Sequence, residues 1–151
     1  MISGDLDLLA RIAVGFVLAY AIGFERQLRG SPAGDRTYAL VGAAATAITA
    51  VAGRTSPQTI AGVVTGIGFI GGGLVFRGRA ELVRGLTSAA TIFTAAALGI
   101  VVGYGHLVIG VIMTIGLLLT LELQHLPGLR RLDAGNYSDH FENDRLHPPD
   151  S

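Results

Sequence analysis

Residues 65–73 read TGIGFIGGG, and within them Gly66-Ile67-Gly68-Phe69-Ile70-Gly71 spells G-x-G-x-x-G. Two very different folds compete for these glycines. A dinucleotide-binding loop needs a strand before it, a soluble helix after it and an acidic residue roughly 20 positions on to hold the ribose. Here the motif lies inside Thr55 to Phe76, 22 residues without a formal charge. The next acid, Glu81, comes only ten residues after Gly71, and the one after it is Glu122. The context contradicts a nucleotide site and points to a helix in lipid.

The remaining charges are spaced the same way. Thr37 to Gly53 is uncharged for 17 residues and Gly85 to Leu121 for 37. A membrane-spanning helix needs about 20 mainly apolar residues, so the longest run can hold two with a turn at Gly103-Tyr104-Gly105-His106. Of the 151 residues 50% are apolar and only 15% charged, against about 25% charged in an average soluble domain. We therefore expect an all-α, polytopic bundle of about five transmembrane helices: Leu6 to Phe24, Thr37 to Val51, Thr59 to Phe76, Leu86 to Val102 and Leu107 to Leu123. Ser56-Pro57 looks like a helix start, with Ser capping and Pro at the first helical position. Residues 1–123 form one membrane domain, and 124–151 a short polar tail. No positive region precedes the first apolar run, so it is expected to be a retained helix.

Nine arginines (Arg26, Arg29, Arg36, Arg77, Arg79, Arg84, Arg130, Arg131 and Arg145) fall on one side of such a five-span chain, and Arg54 on the other. The positive-inside rule then puts the N-terminus outside and the C-terminus in the cytoplasm. Asp7 and Arg11, four residues apart, can pair on one face of the first helix.

Small residues recur at four-residue spacing. Gly62 and Gly66, then Gly68 and Gly72, form G-x-x-x-G, with Gly71 between; Gly15, Ala19 and Gly23 repeat the spacing, as do Gly99 and Gly103. In lipid such residues let helix backbones approach closely. Each glycine costs roughly 1 kcal/mol of helix propensity, so the third helix is expected at the crowded centre of the bundle. A broken, cavity-lining third helix ranks second.

Composition excludes several chemistries. There is no cysteine, and all eleven basic residues are arginine. Disulfides, thiolate catalysis, a Walker lysine and a Schiff-base lysine are therefore absent. Formal charge sums to zero, which gives no nucleic-acid signal. His106, His125, His140 and His147 lack metal-ligand spacing, so no metal and no cofactor is expected. Most span hydroxyls (Thr37, Thr65, Thr87, Ser88, Thr91) should bond to their own helix or a neighbour, and a minority could line a polar cavity. Glu25 abuts an apolar run directly, and charges near membrane depth are commonly functional. The ordinary reading has Asp35 cap a helix and Glu25 pair with Arg29 at i,i+4, which fits Arg29 but fits Glu25 less well; we expect instead that Glu25, Arg26, Asp35, Arg36 and Arg84 form a charged cluster at the cytoplasmic rim.

Three stretches in order, GFERQLRGSPAGDRTYALVG (Gly23 to Gly42), VVTGIGFIGGGLVF (Val63 to Phe76) and VRGLTSAATIFTAAALGIVVGYG (Val83 to Gly105), resemble the MgtC/SapB family of bacterial inner-membrane proteins. The resemblance covers roughly residues 8 to 123. Family motifs fall on Glu25-Arg26, on Ala33, Gly34, Arg36 and Thr37, on Gly66 to Gly71, and on Arg84 to Thr91. Asp35 stands where the family usually has an apolar residue, and Phe93 where Trp is common. Some members carry a C-terminal ACT-like domain, and this chain is expected to be the short form without it. The resemblance implies a non-enzymatic membrane protein acting in magnesium limitation or envelope stress through a membrane-protein partner; at least one member is reported to restrain the F-type ATP synthase. Self-association is open. The alternative is a small ion or solute transporter or channel. The partners implied are the lipid bilayer and membrane protein, not nucleic acid or nucleotide.

Overall fold

In the computed structural model, which describes residues 2–75 and 85–122, five α-helices follow one another: α1 (Ile2–Leu28), α2 (Asp35–Ala52), α3 (Pro57–Val75), α4 (Leu86–Gly103) and α5 (Leu107–Glu122). No strand occurs among the described residues, so Gly66 to Gly71 lies inside a helix and the dinucleotide loop is excluded. The chain divides into two units, Met1–Leu117 and Leu118–Ser151. The second contributes to the described residues only the end of α5. Residues 76–84, with Arg77, Arg79 and Arg84, and the tail expected at 124–151 lie outside the described residues.

Each apolar run becomes a helix, with ends set by local chemistry. Gly30 (φ 68°) and Gly105 (φ 94°) take the left-handed conformation that closes α1 and α4. Ser31 N–H donates to Arg26 O at 3.0 Å and Gly30 N–H to Gln27 O at 3.0 Å; His106 N–H to Val101 O and Gly105 N–H to Val102 O repeat the pattern. These paired bonds satisfy the last carbonyls of each helix. The side-chain caps expected at Ser56 and Asp35 do not form. Ser56 offers its backbone carbonyl to Thr59 N–H and turns its hydroxyl to Gln58, and Asp35 is the first residue of α2, one past the N-cap position.

α1, α3 and α4 are long and apolar enough to cross a membrane, and α5 is a shorter apolar helix within the described residues. α2 begins on Asp35-Arg36, which shortens its uncharged part. It lies between α1 and α4, and Tyr38, Ala39, Ala45, Thr46 and Thr49 are buried there.

The centre of the bundle is therefore the contact of α1, α2 and α4, and this corrects the expectation for α3. A Cβ placed on Gly99 of α4 would lie 2.6 Å from the Gly42 carbonyl oxygen of α2, and one on Gly103 would lie 2.7 Å from Thr49 Cβ. Gly15 of α1 packs as tightly on Thr46. In α3 only Ile67 and Gly71 are buried. A Cβ on Gly62, Gly66 or Gly68 would meet nothing within 4 Å, and Gly72 is half-buried. Phe69 is 85% exposed. Of the five α3 glycines expected to pack, Gly71 meets a neighbouring helix, at Ala89 of α4, and Gly62, Gly66 and Gly68 do not. Small-residue spacing makes close approach feasible, but the partner must come from elsewhere in the chain. The seam formed instead on the glycines of α1, α2 and α4.

At the end opposite the α1 C-terminus, Arg11 holds the bundle together. Its Nη2 pairs with Asp7 at 2.6 Å, as the spacing predicts, and its Nη1 donates to Gly103 O at 3.1 Å. Arg54 Nη2 donates to Tyr104 O and the Tyr104 hydroxyl to Gly53 O. Arg11 thus satisfies a carbonyl at the negative end of the α4 dipole instead of reaching out to solvent. Arg11→Met should lower stability by about 1–2 kcal/mol, because it strands that carbonyl. Asp7→Asn should cost less than about 0.5 kcal/mol, since Asp7 is exposed and surface pairs contribute little. Thermal unfolding in detergent compares the two.

Candidate functional site

The α1 C-terminus, the α1–α2 connector and the starts of α2 and α4 meet at one end of the bundle. Glu25 and Arg26 occupy the last helical turn of α1, with side chains only 12% and 15% exposed. Glu25 Oε1 lies 3.3 Å from Arg29 Nε and Oε2 lies 3.9 Å from Arg26 Nη1. These distances give charge attraction but not aligned hydrogen bonds. Both carboxylate oxygens and Arg26 Nε lack a hydrogen-bond partner among the described residues. Buried polar atoms in that state are costly, so the pair holds unused hydrogen-bonding capacity.

Beside it lies a cluster of hydroxyls. The turn at Gly30 brings Ser31 round so that its Oγ meets Ser88 Oγ at 2.8 Å. Tyr38 is fully buried, bonded to Thr91 Oγ1 and donating to Ser88 O at 3.4 Å. Its ring base sits against Gly23, where a Cβ would come within 2.7 Å of Tyr38 Cβ. The Tyr38 hydroxyl also lies in range of the Arg26 and Glu25 side chains. Tyr38 therefore links the charged pair of α1 to the first two turns of α4.

The expected rim cluster forms in part. Glu25, Arg26 and Arg29 come together. Arg36 is exposed and makes no ion pair among the described residues; with Gln27, Gly34, Asp35 and Thr37 it lines a polar hollow of about 350 Å³. Asp35 Oδ1 accepts from Arg36 N–H at 2.6 Å. Helical geometry explains the split: Arg36 and Tyr38 are two positions apart and point to different faces, and the buried face belongs to Tyr38. Arg84 lies outside the described residues. Ser88 and Thr91 are buried in the cluster, Thr37 and Thr87 are exposed, and Thr65 bonds back to Ala61 O at 2.9 Å. Thr46, Thr91, Thr94 and Thr114 also bond to carbonyls of their own helices.

Sequence reasoning missed Ser31 and Tyr38. A buried tyrosine hydroxyl usually finds a partner, so a lone Tyr among small residues at the start of a span was the available signal. Ser31 could not be found that way, because its partner is 57 residues distant. Among the described residues no three His, Asp or Glu side chains group as metal ligands.

These positions coincide with the motifs of a known family. The chain matches the MgtC family over residues 12–127, and it belongs to that family. It is a helical membrane protein of the MgtC type. It is 36% identical to SrpB of Synechococcus elongatus over 85% of this chain and 83% of that protein. It is 35% identical to YhiD of Escherichia coli K12, named as a candidate magnesium transporter, over 87% of this chain and 66% of YhiD. MgtC of Brucella abortus is 43% identical over 64% of this chain but only 42% of that protein. The chain thus spans less than two thirds of the length of several relatives it matches. No solved structure matches it.

Proposed function

We propose that this protein acts without catalysis in the bacterial inner membrane, in magnesium limitation or envelope stress, by engaging a membrane-protein partner through the Glu25–Arg26–Tyr38 end of the bundle. The observation that carries this reading is the nearly buried Glu25–Arg26 pair with unfilled hydrogen-bond capacity. The family and the names MgtC and YhiD supply the link to magnesium. The arginine asymmetry supports a cytoplasmic position for this end, with the N-terminus outside. The F-type ATP synthase is the partner that the family resemblance suggests.

Growth of a deletion strain at low magnesium, complemented at equal membrane abundance, tests the reading. Glu25→Gln should lose complementation and Arg36→Gln should keep it, because Arg36 stands outside the cluster. Equal growth of the two variants would remove the site. Crosslinking of the wild-type chain in native membranes should yield a heteromeric product that Glu25→Gln diminishes. Glu25-dependent magnesium flux in liposomes containing the purified chain alone would instead favour transport.

A further inference from the structure

α3 meets the core through Val63, Ile67 and Leu74 and touches α4 at Gly71. Near its C-terminus, a Cβ on Gly71 would lie 3.5 Å from Ala89 Cβ, in ordinary contact with α4. Leu74 O lies 3.2 Å from where a Cβ on Gly85 would stand, and Gly85 holds φ 96° as it leads into α4. Farther toward the N-terminus α3 stands away from α2, across an apolar groove of about 630 Å³. α2 and α3 are consecutive and joined by the short turn at 53–56, so they run in opposite directions. Counted from the turn, Ala44 then falls level with Gly66 and Ile48 with Gly62, all four being lining residues of the groove.

Both walls carry small residues. Gly62 and Gly66 have nothing within 4 Å of a Cβ position, so in this arrangement they bring no packing to offset their low helix propensity. Ala44 of the facing wall is likewise exposed. In lipid, helices associate through close van der Waals packing, which small residues permit. We propose that α3 pivots on the Gly71–Ala89 contact and closes against α2, with Gly62 and Gly66 meeting Ile48 and Ala44 and the groove eliminated. The pivot residue Ala89 adjoins Ser88, whose Oγ meets Ser31 and whose carbonyl receives Tyr38. Closure therefore bears on the polar cluster, but its occurrence does not depend on the function proposed above.

The chain contains no cysteine, which makes disulfide trapping clean. Ala44→Cys with Gly66→Cys, and Ile48→Cys with Gly62→Cys, should each form an intramolecular disulfide on oxidation in membranes, because closure brings Cα atoms within the roughly 7 Å a disulfide tolerates. Gly71→Cys with Ala89→Cys is the control at the pivot and should crosslink readily. Adding Gly66→Leu should slow trapping of the 48–62 pair about tenfold, equivalent to roughly 1.4 kcal/mol, and leave the control pair unchanged. Trapping of the control pair alone would mean that the groove stays open to lipid and would overturn closure. A covalent dimer from either groove pair would assign the groove to a second copy and overturn it as well. Failure of the control pair would remove the pivot. If Gly66→Leu does not assemble, the two unmodified groove pairs still decide.

Discussion

Gly99→Leu is expected to cost more than about 3 kcal/mol of stability, and Gly68→Leu close to nothing. Overpacking a well-packed interior typically costs about 1–3 kcal/mol when side chains can shift. At Gly99 they cannot shift far, because a Cβ would stand 2.6 Å from a backbone carbonyl oxygen, 2.8 Å from Ala45 Cβ and 3.2 Å from Thr46 N. The α2 and α4 backbones would have to separate, and the buried Ala95, Leu98 and Val102 around them would lose contact. At Gly68 a side chain enters open space, and replacing glycine in a helix gains up to roughly 1 kcal/mol of propensity. Thermal unfolding in detergent, followed by size-exclusion profile, separates the two variants. A Gly68→Leu protein as unstable as Gly99→Leu would restore α3 to the crowded centre.

That contrast also shows what could be read before the fold was known. The five helices were legible because long uncharged segments have few stable conformations in lipid, and the breaks between them carry arginine, proline and glycine. The Asp7–Arg11 and Glu25–Arg29 pairs were legible because four-residue spacing on a helix fixes their neighbours. The order of helices around the centre was not. G-x-x-x-G at Gly62 and Gly66 and at Gly99 and Gly103 are equivalent as sequence, yet the second pair meets α2 and the first meets nothing. Which seam closes depends on all the helices at once. The same limit divided the charged cluster. Glu25 and Arg26 drew notice by abutting an apolar run, but their link to Ser88 and Thr91 runs through Tyr38, across 50 and 53 residues of chain.

Arg26→Met should destabilise the protein by about 2–3 kcal/mol, and Glu25→Gln combined with Arg26→Met should recover most of that loss. Removing one member of a buried ion pair leaves the other charge uncompensated, at a cost of about 3–5 kcal/mol, whereas replacing both by neutral groups of similar size is often harmless. The lower figure applies here because Arg29 remains 3.3 Å from Glu25 and the side chains are not fully sealed. Glu25→Gln alone neutralises the carboxylate, yet leaves Arg26 charged beside Tyr38, so its cost should fall between the other two. Thermal unfolding of the four proteins in one detergent completes a double-mutant cycle. A double variant as unstable as Arg26→Met would mean that the arginine acts through Tyr38 and not through Glu25. The cycle also separates folding from activity. A double variant that unfolds like wild type but fails to support growth at low magnesium would show that the pair is kept for what it binds, since its removal costs the fold little.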